Sequence, residues 1–296
     1  MSQTDELKDV PSPQAALMQM AQGFWAAKVL QAAAELGIAD LLVENPKTAQ
    51  ELSKTSGVNS DSLYRLLRAL ASRGIFKEIS NDRFENTPLS EAIRTNVPGS
   101  VRDYAIFAPH DGNVLAWTKF MDVVMTGKSS FTDVNGCGYW EYFQNHPEIS
   151  ERYNKAMAAK TSLVISALLK SYDFSQFNTL IDVGGGLGTI LASILTSNPQ
   201  MRGCLYDQSS VIQAAKSFLG AQGVINHCKL ISGDFFESIP KGYDAYLMKN
   251  VIHDWEDKQA LKILKNCRAS IPKHGKLLIL EAVLGKDNTL HPGKWM

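Results

Sequence analysis

Between Leu180 and Leu195 the chain reads LIDVGGGLGTILASIL. An apolar run ends in an acid, Asp182, two residues before Gly184. Glycines stand at 184, 185, 186 and 188, and a helical pattern begins at Thr189. This is the pattern of a buried strand, a tight loop and a helix. Glycine lets backbone N–H groups and a helix N-terminus approach a ligand closely, because no Cβ stands between them. The chemistry such a loop serves is the holding of a nucleotide-like cofactor.

The spacing narrows the cofactor. A dinucleotide fold places its glycines as G-x-G-x-x-G, with the diphosphate at the helix end. Here the third glycine falls one residue early, Thr189 holds the dinucleotide position, and an acid precedes the loop. A carboxylate there repels a diphosphate and suits a cation or an amino group. S-adenosylmethionine has an α-ammonium, a sulfonium, a ribose and an adenine, but no phosphate. It is the expected ligand, with Asp182, Gly184 and Gly186 around it. An NAD-type dinucleotide site and a merely structural strand–turn–helix are the alternatives.

Two more acids close short apolar runs. RGCLYD ends in Asp207, whose carboxylate can hold two ribose hydroxyls. Its other reading is an N-cap for a helix starting near Ser209. CKLISGDFF places Asp234 at a third strand end, before Phe235 and Phe236. Asp234 can accept from an adenine amino group and Phe235 can stack on the ring. Asp234 could equally be a turn residue. In open α/β sheets the ligand lies beyond the carboxyl ends of the strands, so three successive strand-end acids support one another.

The next segment carries the reactive groups. A fourth strand, YDAYLMK, delivers Lys249 and Asn250 to the cofactor edge. His253, Asp254 and Trp255 follow on the loop before a helix, for which Asp254 is a candidate N-cap. A neutral imidazole beside a substrate hydroxyl can take its proton. Methyl transfer needs little else, because the oxygen must only line up with the sulfonium methyl at near-attack distance. The sulfonium is a built-in leaving group, so no metal is required. Glu281 ends a fifth strand, KLLILEAV, where a carboxylate can accept from the histidine ring and fix its tautomer.

The elements that must position these groups alternate from about Asp173 onward. Strands are expected near 179–184, 203–207, 228–233, 243–249 and 276–283, with helices between them, which gives a parallel sheet covered on both faces. Upstream, the spacing predicts one helix from Pro13 to Leu36, with a stripe of Leu17, Met20, Phe24, Ala27, Leu30 and Ala34. Gly37 stops it and a short second helix follows. Thr48–Thr87 reads as a winged helix: a capped helix, a second helix with Arg65, Arg68 and Arg73, and a hairpin turning at Asn81-Asp82. Such a module raises a DNA-binding regulator as a rival, yet Leu63, Leu66, Leu67 and Leu70 turn the second helix mostly toward a core. Ser100–Tyr172 is rich in aromatics and methionine, with Trp117, Phe120, Met125, Tyr139, Trp140, Tyr142, Phe143, Tyr153 and Met157. These suit a core or the wall of an apolar pocket.

Composition sets outer limits. Lys plus Arg equals Asp plus Glu at 30 each, so there is no general attraction to nucleic acid. Cys137, Cys204, Cys228 and Cys267 show no C-x-x-C pairing and read as structural thiols in a reducing compartment. The N-terminus has no apolar signal core and its first ten residues read as disordered. No run reaches membrane-spanning length. A cytoplasmic protein away from membranes is expected.

Taken in order, VGGGLG, YDQS, SGDFF, LMKNVIHDW and GKLLILEA resemble the class I O-methyltransferases of the plant caffeate and bacterial polyketide type. The resemblance covers nearly the whole chain from Ala15. It implies an α/β fold: a Rossmann-like S-adenosylmethionine-binding domain with a mostly parallel sheet, preceded by an α-helical winged-helix dimerisation domain. The expected divisions are 1–100 for dimerisation, 101–172 for a helical substrate-pocket segment, and 173–296 for the cofactor domain. It implies a homodimer through interlocked N-terminal helices, which accounts for a winged helix without DNA. Cofactor contacts fall at Gly184 and its neighbours, Asp207, Asp234, Phe235 and Lys249. His253 becomes the base with Glu281 beside it. WEYFQNHPEISERYNKAM resembles the substrate-pocket helix, so Trp140, Tyr153, Asn154 and Met157, with Asn250, are candidate substrate contacts. The acceptor would be a small phenol or enol.

Two departures stand out. The family's aspartate-leucine-proline after the second strand is here Asp207-Gln208-Ser209. The family also continues past GKWM with an antiparallel strand pair, a second histidine-orienting glutamate and a last helix, whereas this sequence stops at Met296. It reads as a truncated product or a shortened variant lacking the last strands. The shortened end makes a cyclohexenone enol, of the kind methylated on the way to mycosporine sunscreens, a candidate acceptor. A regulator or scaffold that keeps the fold without methyl transfer is the rival reading.

Overall fold

A computed structural model describes residues 12–286. The expectations about the first ten residues and about the ending at Met296 lie outside the described residues. The chain divides into two compact units, Met1–Ala159 and Lys160–Met296.

The first unit opens with α1 (Pro13–Ala21) and α2 (Gly23–Glu35). The single helix expected over this stretch is broken at Gln22, which closes α1 and opens α2. Glycine at 23 costs a helix interior about 1 kcal/mol relative to alanine, and the break falls beside it. The expected stripe is only half used. Ala33 and Ala34 are fully buried, while Leu17, Met20 and Phe24 are 67%, 63% and 51% exposed.

After α3 (Ile38–Leu41) come α4 (Ala49–Ser56) and α5 (Ser60–Ala71). Thr48 and Glu51 form a reciprocal capping box on α4, and Asn59 caps α5. A small antiparallel sheet flanks them: β1 (Lys47–Thr48), β2 (Phe76–Ile79) and β3 (Arg83–Asn86), in the order β1-β3-β2. The β2–β3 turn is a 3₁₀ turn at Ser80–Asp82, where the hairpin was expected to reverse. Leu52, Leu63, Leu67, Leu70, Phe76 and Phe84 form the shared core. Arg68, though exposed, is engaged within this unit, with Nε 3.5 Å from Glu78 Oε2 and its guanidinium over the Tyr64 ring.

The unit continues through α6 (Pro88–Glu91), α7 (Arg102–Phe107), α8 (Asp111–Thr118), α9 (Phe120–Thr126), α10 (Phe131–Asn135) and α11 (Tyr139–Asn145). The long α12 (Pro147–Ser171) runs through the division between the units. The aromatic set sorts into two groups. Tyr139, Trp140, Tyr142, Phe143, Tyr153 and Met157 pack around Phe107 and Ala156. Trp117, Phe120 and Met125 are exposed.

The second unit is built on five parallel strands: β4 (Thr179–Val183), β5 (Arg202–Asp207), β6 (Cys228–Ser232), β7 (Ala245–Lys249) and β8 (Lys276–Leu280). Their order is β6-β5-β4-β7-β8. Helices α13 (Thr189–Ser197), α14 (Ser209–Ala221) and α15 (Asp257–Ser270) follow β4, β5 and β7. Successive strand residues point to opposite faces. Leu180, Leu205 and Leu247 therefore join one core with Leu191 and Leu219, and Ile181, Cys204, Tyr206, Tyr246 and Met248 join the other with Ile263.

No helix connects β6 to β7, contrary to the expected alternation. Hydroxyls lay that connection on the sheet instead. Tyr206 donates to the Ser238 carbonyl at 2.7 Å, Tyr246 to Pro240 at 2.8 Å, and Ser270 to Ile239 at 2.7 Å. Among the described residues no helix is long and apolar enough to cross a membrane. All four cysteines are free.

Candidate functional site

The sheet's topology places a crevice before any side chain is considered. The chain runs β4, β5, β6 to one side, then returns to add β7 and β8 on the other side of β4. The strand order reverses between β4 and β7, and ligands of open parallel sheets lie outside the carboxyl ends at that point. Asp182 and Gly184 close β4, Asp207 closes β5, Asp234 follows β6, Lys249 closes β7 and Glu281 follows β8. Backbone bonds extend the ladder into these loops. Gly184 N–H donates to Tyr206 O at 2.8 Å, Gly233 N–H to Asp207 O at 3.0 Å, and Asn250 N–H to Leu280 O at 3.1 Å.

The glycine loop is shaped by two different demands. Gly184, Gly186 and Gly188 all take positive φ, at 69°, 60° and 78°. A side chain there is strained. A Cβ on Gly186 would meet nothing within 4 Å, so this glycine faces open space. Gly185 is the opposite case. A Cβ there would lie 2.5 Å from both Asp182 Cγ and Leu205 Cδ1. That glycine is required by packing on the buried acid beneath it.

Asp207 is bound to this loop. Its Oδ2 accepts from Gly186 N–H at 2.8 Å and its Oδ1 from Gln208 N–H at 2.7 Å. The helix N-cap is Gln208, so the capping reading of Asp207 is replaced by one that fastens the β5 tip to the glycine turn. Asp182 is 2% exposed. Burial, with Asp207 adding, pushes its carboxyl up to about 7 against the pull of Lys249. Burial also raises Asp207 to about 6, opposed by the Gly186 and Gln208 N–H groups. Burial and the neighbouring Lys160 lower the Lys249 ammonium, while Asp182 and Glu281 raise it. A cation or hydroxyl donor brought to this crevice would lower the cost of ionising its two buried carboxyls, and a diphosphate would raise it. S-adenosylmethionine fits these residues.

Asp234 is exposed and its Oδ1 accepts from Phe236 N–H at 2.7 Å, the bond of a turn residue. The Phe235 ring reaches the glycine loop: its Cε1 lies 3.6 Å from the Cβ position of Gly184. Val251 lies nearer still, at 3.0 Å, and nothing in its type had marked it. Trp255 was also missed as part of this wall. Its ring stands edge-on to Phe236 at 4.6 Å and to Phe235 at 5.9 Å.

His253 and Glu281 meet. His253 Nδ1 is 2.5 Å from Glu281 Oε2. The other oxygen, Oε1, accepts from the N–H groups of Val251 and Ile252, each at 3.1 Å. The carboxylate is thus fixed by the loop it serves, and its free oxygen selects the Nδ1–H tautomer of the imidazole. The lone pair then falls on Nε2, which lies 3.3 Å from Asp254 Oδ1. Asp254 sits in a 3₁₀ turn, and the N-cap of α15 is Glu256, so the capping expectation for Asp254 is corrected. Burial raises the Asp254 carboxyl to about 6, with the nearby Glu281 adding to the rise and His253 opposing it. Asn250 takes φ +52°, an uncommon conformation that asparagine tolerates better than most residues.

Asn250 belongs to the second unit. Trp140, Tyr153 and Met157 belong to the aromatic cluster of the first unit, with Trp140 and Tyr153 edge-to-face at 5.7 Å. Asn154 lies beside them on α12, half-buried.

Residues 117–295 match the O-methyltransferase domain family, and residues 18–96 match the O-methyltransferase dimerisation domain. The chain is 41% identical over 280 residues to the phenazine O-methyltransferase PhzM of Lysobacter antibioticus, spanning 95% of this chain and 82% of that protein. The crystal structure of LaPhzM is similar with a TM-score of 0.93 at 40% identity, over 97% of this chain and 86% of that one. CalO1, a methyltransferase in calicheamicin biosynthesis in its SAH-bound form, is similar with a TM-score of 0.79 at 31% identity, over 97% of this chain and 86% of that one.

Proposed function

This chain belongs to the class I S-adenosylmethionine-dependent O-methyltransferases with an N-terminal dimerisation domain, and from that premise we propose that His253 is the base that deprotonates the acceptor hydroxyl. The enzyme methylates small aromatic secondary metabolites, with S-adenosylmethionine as cofactor. Bound S-adenosylmethionine supplies an electrophilic methyl whose leaving group is a neutral thioether. Asp182, Gly184, Gly186, Asp207, Asp234, Phe235 and Lys249 hold it. His253 Nε2 accepts the hydroxyl proton as the oxygen attacks the methyl carbon. The imidazolium that results keeps its Nδ1–H on Glu281, whose charge stabilises it. The 2.5 Å contact between His253 and Glu281 carries this reading.

The acceptor class in this proposal is a phenolic hydroxyl on a fused or single aromatic ring, as the name of the Lysobacter relative suggests. A cyclohexenone enol is the second acceptor to assay. Trp140, Tyr153, Asn154, Met157 and Asn250 are the proposed acceptor contacts. The proposed functional divisions are 1–100, 101–172 and 173–296. We further propose a homodimer formed through the exposed apolar faces of α1 and α2, working in the cytoplasm, where four free cysteines are stable.

The test is a methyl-transfer assay on hydroxyphenazines, paired with calorimetric binding of S-adenosylhomocysteine. His253→Ala is expected to bind S-adenosylhomocysteine normally and to lose methyl transfer by at least ~100-fold, the usual worth of a general base. Undiminished turnover in that variant would remove His253 from the mechanism.

A further inference from the structure

The loop that carries Asp234 and Phe235 leaves β6 without entering a helix of its own, so its position is fixed by what packs against it. Two groups from the segment that follows β7 do so. Asn266, on the third turn of α15, points its amide at the loop, and Nδ2 donates to the Phe235 carbonyl at 2.8 Å and to the Phe236 carbonyl at 2.9 Å. Both acceptors are carbonyl oxygens, so only the orientation with nitrogen toward the loop makes either bond. From the other end of the same segment, Trp255 packs edge-on against both phenylalanine rings.

We infer that Asn266 is a positioning residue for the cofactor: its paired hydrogen bonds set the height of the Phe235 ring over Gly184 and hold Asp234 toward the adenine end. This rests on the proposed roles of Asp234 and Phe235. The clamp lies on α15, the helix that His253 and Asp254 lead into, so one rigid segment grips the adenine loop and presents the base. Two neutral hydrogen bonds to adjacent carbonyls fix both the position and the tilt of the peptide between them, which a single bond would not.

Ser270 supplies a matched control. It lies on the same helix and donates to the same connection, at the Ile239 carbonyl, 2.7 Å away and beyond the loop. The experiment uses the full chain and S-adenosylhomocysteine as calorimetric probe, with a thermal melt for each variant. Asn266→Asp and Asn266→Ala are expected to weaken binding about tenfold, equivalent to ~1.4 kcal/mol. The KM for S-adenosylmethionine should rise in step while kcat at saturation holds. Ser270→Ala is expected to lower the melting temperature and leave the affinity unchanged. Phe235→Ala tests the underlying reading by itself. If Phe235→Ala binds normally, the adenine-stacking reading fails. If Phe235→Ala loses affinity and Asn266→Asp does not, the clamp alone is refuted. Equal losses in Asn266→Asp and Ser270→Ala would reduce Asn266 to a stabilising residue and overturn the proposal.

Discussion

Glu281→Gln separates the orienting role of this side chain from its structural one. The native carboxylate has two tasks. Oε1 accepts from the Val251 and Ile252 N–H groups, and Oε2 faces His253 Nδ1. Glutamine has one oxygen. Keeping it on the two backbone donors preserves the loop and turns the amide NH₂ toward Nδ1. An NH₂ group can only donate, so the ring must place its proton on Nε2, and the lone pair that takes the substrate proton is lost. The imidazolium formed during transfer also loses its counter-charge. A hydrogen bond to a charged group contributes about 1.5–3 kcal/mol, which corresponds to ~10- to ~150-fold in kcat. The loop is retained, so the affinity for S-adenosylhomocysteine should change less than about twofold, or ~0.4 kcal/mol. The assay is single-turnover methylation of a hydroxyphenazine at saturating S-adenosylmethionine, with calorimetry on the same preparation. Retention of full kcat would refute the tautomer argument. A fall in cofactor affinity as large as the fall in kcat would refute the claim that Glu281 acts through His253.

Asp182 and Asp207 predict a pH dependence. Burial raises both above the ordinary 3.8, to about 7 and about 6. A carboxyl raised in the folded state contributes stability below its unfolded value and loses it as pH rises through the folded value. The melting temperature of the cofactor-free protein should therefore carry a downward component between about pH 4 and 7, which Asp182→Asn reduces in a thermal melt series while the Asp207 share survives. Cofactor binding favours the ionised forms, so calorimetry near pH 6.5 in buffers of different ionisation enthalpy should register proton release, and a null result would contradict it. The glycine loop gives a contrast between neighbours. Gly185→Ala should cost several times more stability than Gly186→Ala, because only the first meets atoms at 2.5 Å. Gly186→Ala should cost ~1–2 kcal/mol from its left-handed backbone and should weaken S-adenosylhomocysteine binding, as measured by denaturant titration and calorimetry. Trp25, 65% exposed on α2, should lie in the dimer face, and Trp25→Glu is expected to shift the mass in light scattering toward the monomer; an unchanged mass would exclude that face.

Much of this site could be read from the sequence because parallel strands put chemistry at their ends. Apolar runs closing in Asp182, Asp207 and Lys249 declare both the strand and the edge from which the ligand is approached. The glycine cluster was legible as a loop, but not the division of labour within it. Whether a glycine serves a ligand or a neighbour depends on what lies beside its Cα, and Leu205 comes to Gly185 from another strand. Asn266 was invisible for a similar reason. An asparagine in KNCR on an amphipathic helix carries no signal until the partner carbonyls, thirty and thirty-one residues away, are placed against it. The helix expected between β6 and β7 failed because tyrosine and serine hydroxyls on the sheet and on α15 hold that segment in its stead. The break at Gln22 and the N-cap at Glu256 are boundary effects that local propensity sets only loosely.

Among the described residues β8 is the outermost strand of the sheet, and the glutamate that orients the base stands one residue beyond it. Its Oε1 is held by the Val251 and Ile252 N–H groups that follow β7, so the base and its partner are joined across the β7–β8 seam. The glycine loop is tied instead across the β4–β5 seam, through Gly186 and Asp207. A substitution that loosens the β7–β8 pairing should therefore slow methyl transfer before it weakens the hold on S-adenosylmethionine.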